Sequence, residues 1–185
     1  MLDSIIAERY AKSLFELAEE TGKLEKVKDD MGLLLGVISD CADFRHFLVN
    51  PVIRPDKKIK VLDALFKDKV DVLTEKFYRL ITGKRREKYM EGIANAFIEK
   101  YKAFKNIVTI EIRTVSPLSE SMRKQIISLL ENRREITVDL VETIDRSLIG
   151  GFIVSTGNLR YDASLANSIK KLKKEFEENL YVREF

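Results

Sequence analysis

The chain is short of almost everything that marks a catalyst or a secreted protein. It holds one cysteine, Cys41, and one histidine, His46, in 185 residues. A single cysteine excludes an internal disulfide framework and makes a reducing compartment the default. A lone histidine with no thiol cluster gives no metal site. Cys41 reads as a small buried hydrophobe. His46, between Phe44 and Phe47, reads as a surface or partly packed side chain. No stretch approaches the roughly 18 consecutive apolar residues of a membrane span. Met1 to Tyr10 lacks the basic-then-apolar pattern of a signal peptide. Phosphate loops are missing too. Gly150-Gly151 is not followed by Gly-Lys-Ser/Thr, and no GxGxxG follows a strand. Asp145 and Asp162 sit at element ends, where aspartate caps or turns. No nucleophile, base and orienter come together, so nothing supports an enzyme or a bound cofactor.

An excess of one charge is also missing. The net charge is +3. Residues 1–105 carry all of it and residues 106–185 are neutral. Neither half resembles a polyanion-binding surface. The densest basic run, Lys84 to Lys88, follows Gly83 at a helix end, where cations offset the helix dipole. It reads as a solvated turn. Weak nucleic-acid binding through it is a competing reading, with only Tyr89 as an interleaved aromatic.

What is present is helical periodicity. With only three prolines and eight glycines to interrupt it, the first half reads as six helices. The first spans Asp3 to Leu17, capped by Asp3 or Ser4, with Ile6, Ala7, Tyr10, Ala11, Leu14, Phe15 and Ala18 in one stripe. Gly22 suits the left-handed residue that ends it. A second runs from Leu24 to Ser39 and a third from Phe44 to Val49, stopped by Asn50-Pro51. Pro55-Asp56 opens a fourth, with Ile59, Leu62 and Phe66 inward. A fifth starts near Asp71 and stops at Gly83, and a sixth runs from Glu87 to Phe104. The first and fifth carry apolar residues beyond one stripe. Deep burial and a second face for a partner helix account for this equally well.

At Asn106 the period changes. Val108, Ile110 and Ile112 alternate with polar residues, as in a half-buried strand. Ser119 caps a helix to about Arg133, with Met122, Ile126, Leu129 and Leu130 inward. A second strand holds Ile136, Val138 and Leu140. Gly150-Gly151 bends into a third strand, and Gly157-Asn158 turns into a short fourth. Asp162 or Ser164 caps a last helix whose apolar face holds Leu165, Ile169, Leu172 and Phe176. The fold class is therefore mainly α in two domains. Residues 1–105 form a six-helix bundle, and residues 106–185 a small α+β domain with a three- or four-stranded sheet and two helices.

Two segments resemble a known family. Ile6-Ala7-Glu8-Arg9-Tyr10-Ala11-Lys12-Ser13-Leu14-Phe15 is similar to the opening helix of F-type ATP synthase delta (OSCP) subunits, with Ser13 where alanine is frequent. Asp145, Ser147, Leu148, Ile149, Gly150 and Gly151, then Gly157, then Asp162 and Ser164, resemble that family's C-terminal signature, with Ala163 in place of a frequent glycine. The resemblance implies a non-catalytic connector, a monomer within its complex, with no cofactor, nucleic acid or membrane insertion of its own. It implies that the N-terminal domain binds the N-terminal helix of an alpha subunit and the C-terminal domain the end of the b-subunit stalk. The chain would then stand on the cytoplasmic side of a bacterial membrane as a peripheral part of the complex. The family's groove between first and fifth helices maps here to Tyr10, Ser13, Leu14 and Leu17 with Phe77, Tyr78 and Ile81. For the stalk the expectation is Leu172, Phe176, Leu180 and Val182. A helical adaptor unrelated to ATP synthase is the alternative reading of the same features.

Overall fold

The structure, a computed structural model, describes residues 2–134, 137–157 and 159–177. Ile136 and Asn158, expected in a strand and a turn, lie outside the described residues, as do Leu180 and Val182. The chain divides into two compact units between Phe104 and Lys105.

The first unit is built from α1 (Leu2–Glu20), α2 (Leu24–Asp40), α3 (Ala42–Val49), α4 (Pro55–Phe66), α5 (Val72–Gly83) and α6 (Met90–Phe104). A 3-10 turn, Glu87–Tyr89, leads into α6. Because α1 starts at Leu2, Asp3 lies in its first turn rather than at the cap. There its charge still faces the positive end of the helix dipole. Gly22, at φ +65°, ends α1, and the Lys23 amide donates back to the Ala18 carbonyl at 2.8 Å, a left-handed closure that favours glycine. At the end of α5 the left-handed residue is Arg85, not Gly83.

Alanines set the packing of α1. Ala7, Ala11 and Ala18 are buried with Leu14, and a Cβ placed on Gly92 of α6 would stand 3.3 Å from that of Ala7. Small residues on both sides let the two helices lie close. On one flank Phe15 meets Phe97 and Phe104, with ring centroids 5.8 and 5.5 Å away. In the α4–α5 hairpin Phe66 packs edge-on against Tyr78. Each large buried side chain of this kind contributes about 1.5–3 kcal/mol. Cys41 is exposed rather than buried, because it occupies the one-residue break between α2 and α3 instead of a helix face. Lys58, polar by sequence, is buried at 0% exposure.

The second unit holds β1 (Ile107–Thr114), α7 (Glu120–Arg134), β2 (Thr137–Ile144), β3 (Phe152–Thr156), β4 (Leu159–Asp162) and α8 (Leu165–Glu177). The strands form one mixed sheet in the order β2-β1-β3-β4. β1 and β2 are parallel and joined through α7, while β1–β3 and β3–β4 are antiparallel. Alternation sends Ile110, Ile112, Val138 and Leu140 to one face, where Ile126 and Ile127 of α7 pack on them. Met122, expected inward, faces the space between α7 and the sheet but is 52% exposed in the first turn of α7. The side chains of Leu129 and Leu130 lie outside the description.

The glycine-rich signature is a folding device. Gly151 has φ +81°, and a Cβ there would lie 2.3 Å from the Ala163 carbonyl oxygen. A Cβ on Gly150 would lie 2.6 Å from Leu165 Cδ1. The bend thus lets the start of α8 lie directly on the backbone, with the Leu165 amide donating to the Gly150 carbonyl at 3.0 Å. Asp145 accepts from the amide and hydroxyl of Ser147 at 2.9 and 2.6 Å. Asp162 accepts from the Ser164 amide at 3.0 Å, and Ser164 Oγ caps α8 at the Asn167 amide. Those serine donors hold both carboxyls below the ordinary carboxylate value. Both aspartates are therefore turn formers.

Replacing Gly151 with alanine combines a left-handed cost of about 1–2 kcal/mol with a backbone clash. The expected outcome is a loss of more than about 1 kcal/mol in urea unfolding of the full chain, followed by a probe in the second unit. An unchanged midpoint would refute the structural role of the bend.

Candidate protein-binding surfaces

In the first unit, contacts at two levels join the α1 and α5 segments in an antiparallel sense. Lys23, just past the end of α1, donates to both carboxylate oxygens of Asp71 at the start of α5, at 2.8 and 2.9 Å. Tyr10, in the first half of α1, meets Phe77 with centroids 6.4 Å apart in an edge arrangement. The Arg86 guanidinium, past the end of α5, lies 5.4 Å from the Tyr10 ring centroid and donates to its hydroxyl. The groove between the helices is thus tied at one end by an ion pair and at the other by an arginine–tyrosine contact.

The expected groove residues separate into two sets. Leu14, Tyr78 and Ile81 are buried in the bundle core. Tyr10 and Phe77 are half-buried, and Ser13 and Leu17 are exposed. The angle explains the split. At 3.6 residues per turn, Tyr10, Ser13 and Leu17 are centred about 100° around α1 from its alanine stripe. On α5 the buried arc runs through Thr74, Tyr78, Ile81 and Thr82. Phe77 stands to one side of it, with half-buried Leu73 and with Leu80 at 47% exposure. From sequence, Leu73 and Leu80 read only as apolar residues of the fifth helix and Arg86 as part of the basic turn after it. The signal that finds the two leucines is their angular offset from the buried arc.

Asp71 has two jobs at the closed end. Its carboxylate accepts from Lys23 and from the Leu73 amide, capping α5. The Lys23 hydrogen bond first, then that amide, hold its carboxyl below the ordinary value of 3.8. In the core, burial first and then the Asp30 charge push the Tyr78 hydroxyl upward.

The second unit carries its own apolar surface. A groove of about 830 Å³ opens between α7 and the sheet, lined by Val115, Pro117, Met122, Phe152 and Val154 among others. On α8, Leu165, Ile169, Leu172 and Phe176 are between 51% and 78% exposed. Their spacing of three and four places them on one helical face. Leu172 and Phe176, expected at the stalk contact, are therefore accessible. Among the described residues no cluster of His, Cys, Asp and Glu could hold a metal ion, and no helix is long and apolar enough to cross a membrane.

The comparisons with known proteins agree on one family. Residues 6–176 match the family described as ATP synthase delta (OSCP) subunit. The ATP synthase subunit delta of Cytophaga hutchinsonii is 32% identical over 97% of this chain and 98% of its own length. That of Phocaeicola vulgatus is 35% identical, over 95% and 96%. A chain of the Toxoplasma gondii mitochondrial ATP synthase hexamer superposes with a TM-score of 0.70 at 25% identity, covering 94% of this chain and 98% of that one.

The depressed Asp71 carboxyl makes its contribution fully present above its unfolded value and lost as pH falls through the lower folded one. Asp71→Asn keeps a capping oxygen but removes the charge. The variant is expected to unfold at lower urea than wild type at pH 7, with the gap closing below about pH 4. A gap that stays constant with pH would show that the charge is not what Asp71 contributes.

Proposed function

We propose that this chain, which belongs to the ATP synthase delta (OSCP) subunit family, is the stationary connector between the catalytic head and the peripheral stalk of an F-type ATP synthase. A member of this family is a structural subunit of the synthase rather than an enzyme in its own right. The observation that supports the finer reading is the apolar surface on neighbouring sides of α1 and α5. The bundle core buries Leu14, Tyr78 and Ile81, while Tyr10 meets Phe77 at its surface and Leu17 and Leu80 stay exposed on the same two helices. An amphipathic helix laid into the groove covers them, and the N-terminal helix of the alpha subunit is the occupant this family implies. The exposed stripe of α8 and the groove beside α7 are the corresponding surface for the end of the b-subunit stalk. By holding both, the chain resists the torque of rotary catalysis and keeps proton flow coupled to ATP synthesis. It works at the membrane periphery, on the cytoplasmic side in a bacterial host, held there through the complex.

The first test is a calorimetric titration of the full chain with a synthetic peptide of the N-terminal helix of the same organism's alpha subunit. One-to-one binding is expected, reduced at least about thirtyfold by Leu17→Asp or Tyr10→Asp in a chain that remains folded. Tyr78→Asp, in the core, is expected to unfold the bundle instead. A folded wild-type chain that does not bind the peptide would sink the groove assignment.

The stalk surface has a separate test. Leu172→Glu combined with Phe176→Glu is expected to abolish co-purification with the b-subunit soluble region while leaving peptide binding intact. Retention of the stalk by this variant would move the contact elsewhere on the second unit.

A further inference from the structure

We propose that Lys58 and Glu87 are a positioning pair that fixes the α1–α5 groove from inside the bundle, through Arg86. This rests on the groove reading above. Lys58 points from α4 into the interior and is fully buried. Its Nζ donates to Glu87 Oε1 at 2.6 Å and to the Leu48 carbonyl at 2.7 Å. One cation thereby ties the last turn of α3, the first turn of α4 and the 3-10 turn before α6. The other carboxylate oxygen of Glu87, Oε2, is buried without a hydrogen bond, so the carboxylate is held through Oε1.

Stability alone does not call for this arrangement. Replacing a buried ion pair with apolar side chains of similar volume is often neutral or stabilising, because two charges must first be desolvated. What an apolar pair cannot supply is direction. Glu87 immediately follows Arg86, whose amide donates to the Ile81 carbonyl at 3.0 Å after the left-handed Arg85. Those backbone bonds and the Glu87 anchor leave the Arg86 backbone one course across the end of α5. From there its guanidinium lies over the Tyr10 ring, and Tyr10 stands edge-on to Phe77. A continuous series of contacts therefore runs from the buried ammonium to the groove wall. An exposed arginine without such an anchor samples many rotamers and fixes little.

The test is a cycle on the full chain with the same alpha-subunit peptide. Lys58→Met with Glu87→Leu keeps the volume and leaves no orphan charge. This double variant is expected to bind about tenfold more weakly while melting as a folded bundle, as is Arg86→Met. The triple variant is expected to be no weaker than Arg86→Met alone, since coupled residues are not additive. The Tyr10 ring proton signals should also shift in the double variant as they do in Arg86→Met, a readout that needs no partner. Wild-type affinity in the double variant, or losses that add in full, overturns the proposal while leaving the groove reading standing. A wild-type chain that fails to bind overturns both. If the double variant does not fold, Lys58→Met with Glu87→Gln, which removes the anchoring hydrogen bond and leaves no buried charge, takes its place in the cycle with the same criteria.

Discussion

The close approach of α1 and α6 governs the first unit. Ala7, Ala11 and Ala18 present almost no side-chain volume, and Gly92 presents none. Packing at this distance maximises dispersion contacts along two backbones and fixes the rotation of α1 about its own axis. With that rotation set, Phe15 falls toward Phe97 and Phe104 on one flank. Tyr10 and Leu17 fall on the other, toward α5. The position of the proposed groove therefore follows from which face α1 commits to α6. A larger residue at position 7 or 11 would rotate or displace the helix and move the groove with it.

Most of the architecture was legible in the sequence because it rests on period and punctuation. Six helices, the switch to period two at Asn106, the Gly22 closure and the Ser164 cap each follow from local chemistry. The division of apolar residues between core and groove was less legible. Period shows that α1 and α5 have wide apolar arcs, but not which part a neighbour covers. Leu14, Tyr78 and Ile81 share an arc with true surface residues, and only the third dimension separates them. Lys58 was missed for a different reason. A lysine reads as solvent-facing, and the partner that makes its burial tolerable, Glu87, is 29 residues away. Cys41 and Met122 were misplaced because they sit at helix ends, where residue type does not decide exposure.

The C-terminal signature shows how a motif can be diagnostic without touching a ligand. Asp145, Ser147, Gly150, Gly151, Asp162 and Ser164 are engaged with one another or with the backbone around them. Together they seat the first residue of α8 on the bend. The cost of that design is visible beyond the bend. Leu165 to Phe176 line a thirteen-residue helix with its apolar stripe uncovered. An isolated helix of this length is marginal in water, and covering that stripe would add to what the cap and the bend already supply. On the proposed reading, a stalk helix that covers the stripe would therefore stabilise α8 as it binds.

The proposed connector role favours apolar grooves over charged patches on the same reasoning. Charge complementarity mainly raises the rate of encounter and is screened at physiological salt. A joint that must persist through many rotor turns instead needs slow dissociation, which is where differences in affinity between related interfaces mostly reside. Buried aromatic and aliphatic side chains supply this without dependence on ionic strength. The near-neutral charge of the chain is consistent with that requirement. Arg86 and the Lys23–Asp71 pair are exceptions in kind, since each contacts the chain's own residues at the ends of the groove. On the proposed reading they hold its shape, so that an incoming helix would find the apolar surface already arranged and spend less of its binding free energy on ordering it.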